Sequence, residues 1–315
     1  MTTGEPIILL CPGQGAQRVG MGHAWASDRK EAAAVFAKAD ATLGDALGQR
    51  LSALCFAGAE ERVNRTDVAQ PALYTTAIAS WEAWSAAGAP AVLASAGLSL
   101  GEYTALHLAG AMSFEDGLRL VALRGAAMQA AAEASDGGMV ALIGANEEQA
   151  RQVCSDAARD EALVPANFNA PGQIVLSGHS SACDRAAKVA ESLGLRATRL
   201  AVAGAFHSPL MAPAAERLEK ALESVEIRAP RCVVVSNVTA QPHTNNPAEI
   251  KKRLVEQLMA PVRWDASCVW MVANVKTPAG AVPVMHELAP GRVLAGLMRR
   301  IDRTIKVETH DEPGA

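Results

Sequence analysis

The sequence predicts an α/β protein in which helices cover both faces of a parallel sheet and one small unit is inserted. Short apolar runs alternate with alanine-rich helical stretches over most of the 315 residues. This alternation is typical of parallel strands joined by crossover helices. Between about residues 135 and 203 the order changes to β-α-β-β-α-β, which is the ferredoxin-like arrangement. The predicted division is a large unit of residues 1–134 and 204–315 and a small unit of residues 135–203.

The large unit is predicted from four apolar strand signals separated by helical stretches. The strand signals cover residues 7–11, 91–96, 233–236 and 282–286, and the helical stretches cover residues 70–87, 102–108, 114–134 and 247–259. A glycine-rich turn over residues 12–22 follows the first strand. The final residues, 306–315, are mostly polar, and we expect them to form a tail.

The small unit is predicted from four further strands and two helices. The strands cover residues 139–144, 163–167, 173–178 and 196–202, and the helices cover residues 146–159 and 180–193. Gly137 and Gly138 mark the start of this unit, and Gly204 marks its end. A compact unit of this kind can be inserted into a larger α/β domain.

The composition predicts a soluble globular protein with an aliphatic core. Half of the residues are hydrophobic, 20% are charged and only 4% are aromatic, which excludes disorder as the general state. The formal net charge is −4, with acidic and basic residues spread along the chain. Nucleic acid is therefore not expected as a main partner, because neutralising phosphates needs a clustered positive surface.

Cysteine and histidine spacing predicts neither a metal site nor a redox motif. The six cysteines form no C-x-x-C pair, and the seven histidines show no H-x-x-x-H or H-E-x-x-H spacing. The first residues lack the basic region of a secretory signal, and no apolar run is long enough to cross a membrane. We therefore expect free thiols and a cytoplasmic location.

The strongest local signal for chemistry is the segment Gly97-Leu98-Ser99-Leu100-Gly101, which lies between a predicted strand and a predicted helix. A G-x-S-x-G segment in this context is a nucleophile elbow. It places the serine hydroxyl over a helix N-terminus, where developing negative charge is favoured. An ordinary glycine-rich turn is the alternative, and the flanking strand and helix favour Ser99 as a nucleophile.

His207 is the leading candidate for the base that such a serine needs. It follows a predicted strand, and Ser208 and Pro209 fit the N-cap and first position of a helix, so His207 would be held rigidly. No aspartate stands out as a third triad member, and a main-chain carbonyl could orient the imidazole instead. The other histidines have plainer interpretations as polar, turn or core residues: His23, His107, His179, His243, His286 and His310.

A second glycine-rich segment, residues 12–17, follows the first strand. It is not a dinucleotide fingerprint, because Arg18 stands where the third glycine is needed, and it lacks the G-K-[ST] ending of a P-loop. We predict instead that its backbone donates an N–H group to an oxyanion, together with the N–H group of Leu100.

Arg119 and Arg124 interrupt the otherwise apolar helix predicted over residues 114–134, which is expected to be buried. The two side chains point about 140° apart, so at most one is expected to face a given site. A buried arginine needs an anion, which is either a structural carboxylate, the commoner case, or the carboxylate of a ligand.

Five segments, in this order, resemble the malonyl-CoA:acyl carrier protein transacylase family. They are Gly-Gln-Gly-Ala-Gln (13–17), Gly-Leu-Ser-Leu-Gly-Glu-Tyr (97–103), Leu-Arg-Gly-Ala-Ala-Met-Gln (123–129), Asn-Phe-Asn-Ala-Pro-Gly-Gln (167–173) and Phe-His-Ser-Pro-Leu-Met (206–211). The resemblance covers residues 7–300. It implies an α/β-hydrolase-like large unit with a ferredoxin-like insertion. It also implies malonyl-CoA as substrate, acyl carrier protein with its phosphopantetheine as partner, and no cofactor. We expect the chain to be a monomer.

The resemblance also implies roles for particular residues. Ser99 would carry the malonyl group as an ester, and His207 would act first as base and then as acid for the leaving thiol. Gln14 and Leu100 would supply the oxyanion-hole N–H groups. Arg124 would bind the malonyl carboxylate.

Three further positions follow from the same resemblance. The main-chain carbonyl of Gln257 would hold the histidine, Phe206 would favour malonyl over methylmalonyl, and Arg119 would be structural. One position departs from the family: bacterial members commonly have histidine before the nucleophile, where this chain has Leu98. Because that histidine is not the base, we expect catalysis to survive.

Two other functions remain open at this stage. A serine esterase or thioesterase would share the elbow and the base, but it would not need the buried arginine. A catalytically silent domain that docks a carrier protein is the other alternative, and intact Ser99 and His207 argue against it. Basic residues that could meet an acidic carrier are Lys251, Lys252, Arg253, Arg299, Arg300 and Arg303. Both fatty-acid and polyketide synthesis fit the sequence.

Overall fold

The computed structural model describes residues 4–314. Within that range ten strands form two sheets, and in chain order they are β1 (Ile7–Cys11), β2 (Val92–Gly97), β3 (Gly137–Ile143), β4 (Leu163–Ala170), β5 (Gln173–His179), β6 (Arg196–Arg199), β7 (Val233–Val234), β8 (Val262–Arg263), β9 (Met285–Leu288) and β10 (Val307–His310).

The same range contains thirteen α-helices and one 3₁₀ turn, Pro209–Met211. In chain order the helices are α1 (His23–Asp28), α2 (Lys30–Leu43), α3 (Leu51–Ala57), α4 (Glu60–Asn64), α5 (Thr66–Ala86), α6 (Gly101–Leu108), α7 (Phe114–Glu133), α8 (Glu147–Ala158), α9 (Ser180–Ser192), α10 (Ala212–Glu223), α11 (Pro247–Glu256), α12 (Trp264–Asn274) and α13 (Val293–Ile301).

The first sheet is parallel throughout and has the strand order β10-β9-β1-β2-β7. Every residue of the central strand β1 is buried. Ile7 and Leu9 point into one core cluster and Ile8 and Leu10 into another, because successive side chains of a strand point to opposite faces. Both faces are therefore covered, as a parallel sheet requires, and the predicted α/β class with a parallel sheet is confirmed.

The second sheet has the strand order β6-β3-β5-β4-β8. The pairs β3–β6, β3–β5 and β4–β5 are antiparallel, and the elements β3-α8-β4-β5-α9-β6 follow the predicted β-α-β-β-α-β order. Helices α8 and α9 pack on one face around a third core cluster. Met139 and Val175 on the other face belong to the main core, so the two sheets share packing. The short strand β8 then adds to β4 in parallel.

The predicted polar tail is wrong. Residues Val307–His310 form β10, which pairs in parallel with β9 at the sheet edge, and the Trp25 Nε1–H group donates to the His310 carbonyl at 3.0 Å. An edge strand keeps one side open to solvent, so it tolerates the polar residues that made this segment resemble a tail. Other predicted strands are shorter: the one over residues 196–202 ends at Arg199, and the one over residues 233–236 is two residues long.

Candidate active site

Ser99 lies in the turn between β2 and α6, at the carboxyl end of the parallel sheet. Its backbone has φ +53°, a left-handed conformation that a residue with a side chain rarely adopts. Gly97 and Gly101, two residues to either side, leave no room for a side chain. A Cβ at Gly97 would overlap the backbone of Gly101, and a Cβ at Gly101 would overlap the carbonyl of Cys11. This turn is the geometry of a nucleophile elbow, in which the strained backbone presents the hydroxyl to the cavity.

His207 lies against Ser99, with its Nε2 atom 2.9 Å from the serine Oγ. Its Nδ1–H group donates to the backbone carbonyl of Gln257 at 2.7 Å. A carbonyl can only accept, so this contact puts the proton on Nδ1 and leaves Nε2 free to accept from the serine hydroxyl. His207 also has a left-handed backbone, with φ +57°.

The turn after His207 fixes its position. Ser208 is the N-cap of the 3₁₀ turn and accepts from the N–H group of Leu210, and Pro209 occupies the first position of the turn, as the sequence predicts. Burial, together with the nearby positive charge of Arg124, lowers the pKa of His207 from the ordinary histidine value to about 4. The imidazole is therefore neutral at pH 7, which is the state that a base needs.

Arg124 is fully buried and reaches the nucleophile. One terminal nitrogen donates to Ser99 Oγ and to Gln257 Oε1, each at 3.0 Å, and the other donates to Gln70 Oε1 at 2.7 Å. Its Nε atom has no hydrogen-bond partner within residues 4–314. No carboxylate contacts the guanidinium directly among these bonds, so the charge is oriented by amides and a hydroxyl.

Arg119 differs from the sequence-based expectation of a buried structural residue. Its side chain is 60% exposed and lies 3.6 Å from Asp116, one turn earlier on α7. The two arginines are on opposite sides of the helix, as the angle between them predicts. The outward side of α7 meets solvent, so burial of the whole helix was the wrong assumption.

Gln257 contributes both its backbone and its side chain. The carbonyl holds His207, the side-chain oxygen accepts from Arg124, and the side-chain nitrogen donates to the Ser99 carbonyl at 3.0 Å. Gln257 lies just after α11, 158 positions from Ser99. One amide therefore links the serine, the histidine and the arginine.

Gln14 and Leu100 line the same cavity as Ser99, His207 and Arg124. The cavity has a volume of about 430 Å³. The backbone N–H groups of Gln14 and Leu100 make no hydrogen bond within the part of the chain that the structure describes. Two free donors beside a serine hydroxyl are suited to stabilising an oxyanion. The remaining wall is largely apolar and includes Met128, Met139, Val175, Phe206, Leu200 and Leu297.

Sequence reasoning missed four polar residues around this site. Gln70 holds Arg124, while Asn237, Glu102 and His243 form a buried group beneath the elbow. His243 was expected in polar or turn-like surroundings; it lies in a loop beside the Glu102 carboxylate, and its side chain is 1% exposed. The available signal was Glu102, an acidic residue that directly follows the elbow at the start of the helix over Gly101–Leu108. No group of three or more His, Cys, Asp or Glu side chains in residues 4–314 could hold a metal ion.

The chain is similar to known proteins over most of its length. The family described as acyl transferase domain matches residues 8–286. The malonyl CoA-acyl carrier protein transacylases of Escherichia coli K12 and Bacillus subtilis 168 are each 40% identical to this chain, over 98% of it and over 96% and 94% of their own lengths.

Solved structures are similar over nearly the whole chain. The malonyl CoA-acyl carrier protein transacylase of Coxiella burnetii superposes with a TM-score of 0.92 at 36% identity, covering 99% of this chain and 96% of that one. A malonyl-transacylase in complex with its type II PKS acyl-carrier protein gives a TM-score of 0.90 at 36% identity, covering 98% and 96%. With an acyl transferase pattern over most of its length and full-length relatives at 40% identity, this chain belongs to the malonyl CoA-acyl carrier protein transacylase family.

Proposed function

We propose that this chain transfers a malonyl group from malonyl-CoA to the phosphopantetheine thiol of acyl carrier protein through a malonyl-serine intermediate. One observation carries the proposal: a buried arginine, Arg124, donates to the hydroxyl of a serine that is paired with a neutral histidine. A serine–histidine pair supports acyl transfer, and the arginine supports an acyl group with its own carboxylate.

In the first half-reaction, Ser99 Oγ attacks the thioester carbonyl while His207 Nε2 takes its proton. The carbonyl oxygen becomes an oxyanion, which the N–H groups of Gln14 and Leu100 stabilise. The C–S bond then breaks, and His207 gives its proton to the departing CoA sulfur. The Gln257 carbonyl keeps the Nδ1 proton in place, so it does the orienting that an aspartate does in other serine enzymes.

The second half-reaction repeats these steps with the carrier thiol as nucleophile. His207 accepts the thiol proton, the sulfur attacks the serine ester, and Ser99 leaves with the proton returned by His207. The second half-reaction is the reverse of the first with a different thiol, since CoA and the carrier present the same type of thiol. No cofactor is needed, because each proton that His207 accepts is passed on to the leaving group. Because the two substrates use one site in turn, the kinetics should be ping-pong.

Arg124 selects the acyl group in this proposal. The malonyl carboxylate would be costly to bury in a largely apolar cavity without a partner. A guanidinium can meet it with two parallel charge-assisted hydrogen bonds, which also orient the thioester carbonyl towards Ser99. Phe206 lines the same cavity and would limit the space for a methyl branch.

The finer architectural assignments belong to the same proposal. The described residues of the ranges 1–134 and 204–315 form an α/β-hydrolase-like unit, supported by the parallel sheet and the elbow after β2. Residues 135–203 form a ferredoxin-like unit, supported by the strand order β6-β3-β5-β4. A monomer in the cytoplasm is proposed, and the six free cysteines suit a reducing compartment. No helix in residues 4–314 has the length and apolarity needed to cross a membrane.

A basic surface adjoins the cavity and suits an anionic partner. Arg299, Arg300 and Arg303 are exposed and line a depression that shares Val293 and Leu297 with the catalytic cavity. None of the three arginines forms an ion pair with the residues that the structure describes. We propose this edge as the approach for an acidic carrier protein.

The function is tested by supplying radiolabelled malonyl-CoA with and without holo acyl carrier protein. The proposal predicts label on the carrier, and slow release of free malonate when the carrier is omitted. Rapid malonate release that the carrier does not suppress would identify a thioesterase instead. Equal rates with acetyl-CoA and malonyl-CoA would remove the role proposed for Arg124.

A further inference from the structure

Glu102 is a fully buried carboxylate that has no part in the reaction described above. It is the second residue of α6, three positions after Ser99. Three donors converge on it: Gln257 Nε2 at 2.6 Å and the Asn237 N–H group at 3.1 Å reach Oε2, and His243 Nε2 reaches Oε1 at 2.6 Å. A buried carboxylate needs such donors. Asn237 and His243 lie in the loop between β7 and α11, and Gln257 lies just after α11.

Two of these donors connect Glu102 to the reacting residues. Gln257, held by Glu102 at its side chain, presents the carbonyl that fixes the Nδ1 proton of His207. Asn237, held at its backbone, accepts from the Ser99 N–H group at 2.6 Å and donates to the Gly97 carbonyl at 2.7 Å. Glu102 therefore contacts both of the residues that hold the nucleophile turn and the base.

The third donor, His243, holds Glu102 itself. The His243 side chain is 1% exposed, and its Nδ1 atom has no hydrogen-bond partner within residues 4–314. Among the residues that the structure describes, the contact with Glu102 is thus the only polar contact of this imidazole. The side-chain amide of Gln257 lies between Arg124 and Glu102. Its oxygen accepts from Arg124, and its nitrogen donates to Glu102. An anionic Glu102 polarises this amide in the direction that both contacts need.

We propose that Glu102, held in place by His243, is a positioning residue for the acyl transfer: it sets the strained turn of Ser99 through Asn237 and the orientation of His207 through Gln257. The inference rests on the roles proposed for Ser99 and His207. Glu102 supplies the carboxylate that the serine–histidine pair lacks. A triad aspartate contacts the imidazole directly, whereas Gln257 lies between Glu102 and His207.

The first test measures the single-turnover rate at which radiolabelled malonyl-CoA acylates the enzyme without carrier. Glu102→Gln has one acceptor oxygen in place of two, so it cannot accept from His243 and from the Asn237 and Gln257 pair together. We expect the rate to fall by on the order of tenfold to a hundredfold, the usual scale for residues that orient a reacting group.

A matched control makes the same change at the other fully buried glutamate of residues 4–314. Glu287 accepts from the N–H groups of Leu294 and Ala295 and makes no hydrogen bond to Ser99, His207 or Gln257. We expect Glu287→Gln to keep the acylation rate within about twofold of the unsubstituted enzyme once folded protein is normalised.

A second test separates positioning from simple loss of folded enzyme. Loss of folded enzyme lowers the rate by one factor in any background, whereas positioning of His207 matters only when His207 is present. We therefore expect Glu102→Gln to cost at least about fivefold less in a His207→Ala background than in the unsubstituted enzyme. Equal factors in both backgrounds, or an unchanged rate for Glu102→Gln alone, would overturn the inference.

Substitutions of His243 keep the test decisive if Glu102→Gln does not fold. His243→Phe removes the donor and no other polar contact, so acylation should slow by about tenfold, and His243→Gln should restore much of the rate. Identical rates for the two variants would contradict the inference. Failure of the underlying site assignment looks different, because a Ser99→Ala enzyme would then still form the malonyl adduct.

Discussion

Replacing Arg124 with alanine tests the selection of the malonyl group. In the unliganded site its guanidinium donates to Gln70, Ser99 and Gln257 and is fully buried. Malonyl-CoA brings a carboxylate to this position, and without the arginine that charge has no partner. Leaving one member of a buried charged pair alone costs about 2–5 kcal/mol.

This free-energy cost sets the expected fall in the rate of malonyl transfer. At about 1.4 kcal/mol per tenfold, kcat/KM for malonyl transfer should fall by on the order of thirtyfold to several thousandfold. Acetyl transfer should fall far less or rise, because an uncharged acyl group gains nothing from the arginine. The assay compares kcat/KM for malonyl-CoA and acetyl-CoA in the unsubstituted and Arg124→Ala enzymes, and the ratio isolates the carboxylate contact from general damage.

Arg119→Ala is the matched control on the same helix. Its side chain is 60% exposed and, within residues 4–314, forms an ion pair only with Asp116. Exposed ion pairs of this kind add little stability. Both transfer rates and the ratio between them should stay unchanged. If Arg124→Ala lowers malonyl and acetyl transfer by the same factor, Arg124 is structural and the carboxylate is bound elsewhere.

Two further predictions concern pH and the carrier. Burial and Arg124 lower the pKa of His207 to about 4. Since the neutral imidazole is the active form, the acylation rate should be constant near neutral pH and fall only as the pH drops through about 4. In Arg124→Ala this acidic limb of the pH–rate profile should move to higher pH, because a positive charge beside His207 is removed. A limb near pH 6.5 that Arg124→Ala does not move would contradict this. The double substitution Arg299→Glu and Arg300→Glu should raise KM for the carrier by about tenfold or more, and this increase should be larger at lower salt concentration. The control substitutions Lys251→Glu and Lys252→Glu, on α11, should leave KM for the carrier unchanged. Equal effects of both pairs would place the carrier elsewhere.

The structure places the pKa of His207 well below the ordinary histidine range. Sequence alone suggests that the activity of His207 should titrate near the ordinary histidine range. Burial and the charge of Arg124 are tertiary effects, and a linear pattern contains neither of them. Burial lowers the pKa of His207 most, and Arg124 adds to this effect because the guanidinium and the imidazole both contact Ser99 Oγ, at 3.0 and 2.9 Å.

Local signals were sufficient for the nucleophile and part of the fold. The elbow glycines are needed within one turn, so Ser99 is visible in five consecutive residues. The N-cap Ser208 and Pro209 are likewise local to His207. Strand β1 was predicted to the residue because its five apolar residues are buried on both faces. In each case the physical cause lies within a few positions of the chain.

The remaining features depend on contacts between distant segments. Gln257 holds His207 with a backbone carbonyl, which any residue possesses, so only a family resemblance could point to it. Glu102 and His243 meet across 141 positions. The strand β10 is recognisable only from its pairing with β9, since four largely polar residues carry no strong strand pattern of their own.

The central claim is that Ser99 carries the acyl group, and locating the label tests it most directly. The enzyme is incubated with radiolabelled malonyl-CoA without carrier, quenched and digested, and the labelled peptide is identified. We predict one malonyl ester on Ser99 that disappears on adding holo carrier, and no adduct in Ser99→Ala, whose turnover should fall about a thousandfold or more. Label that persists on the alanine variant, or transfer without any enzyme adduct, would contradict the account.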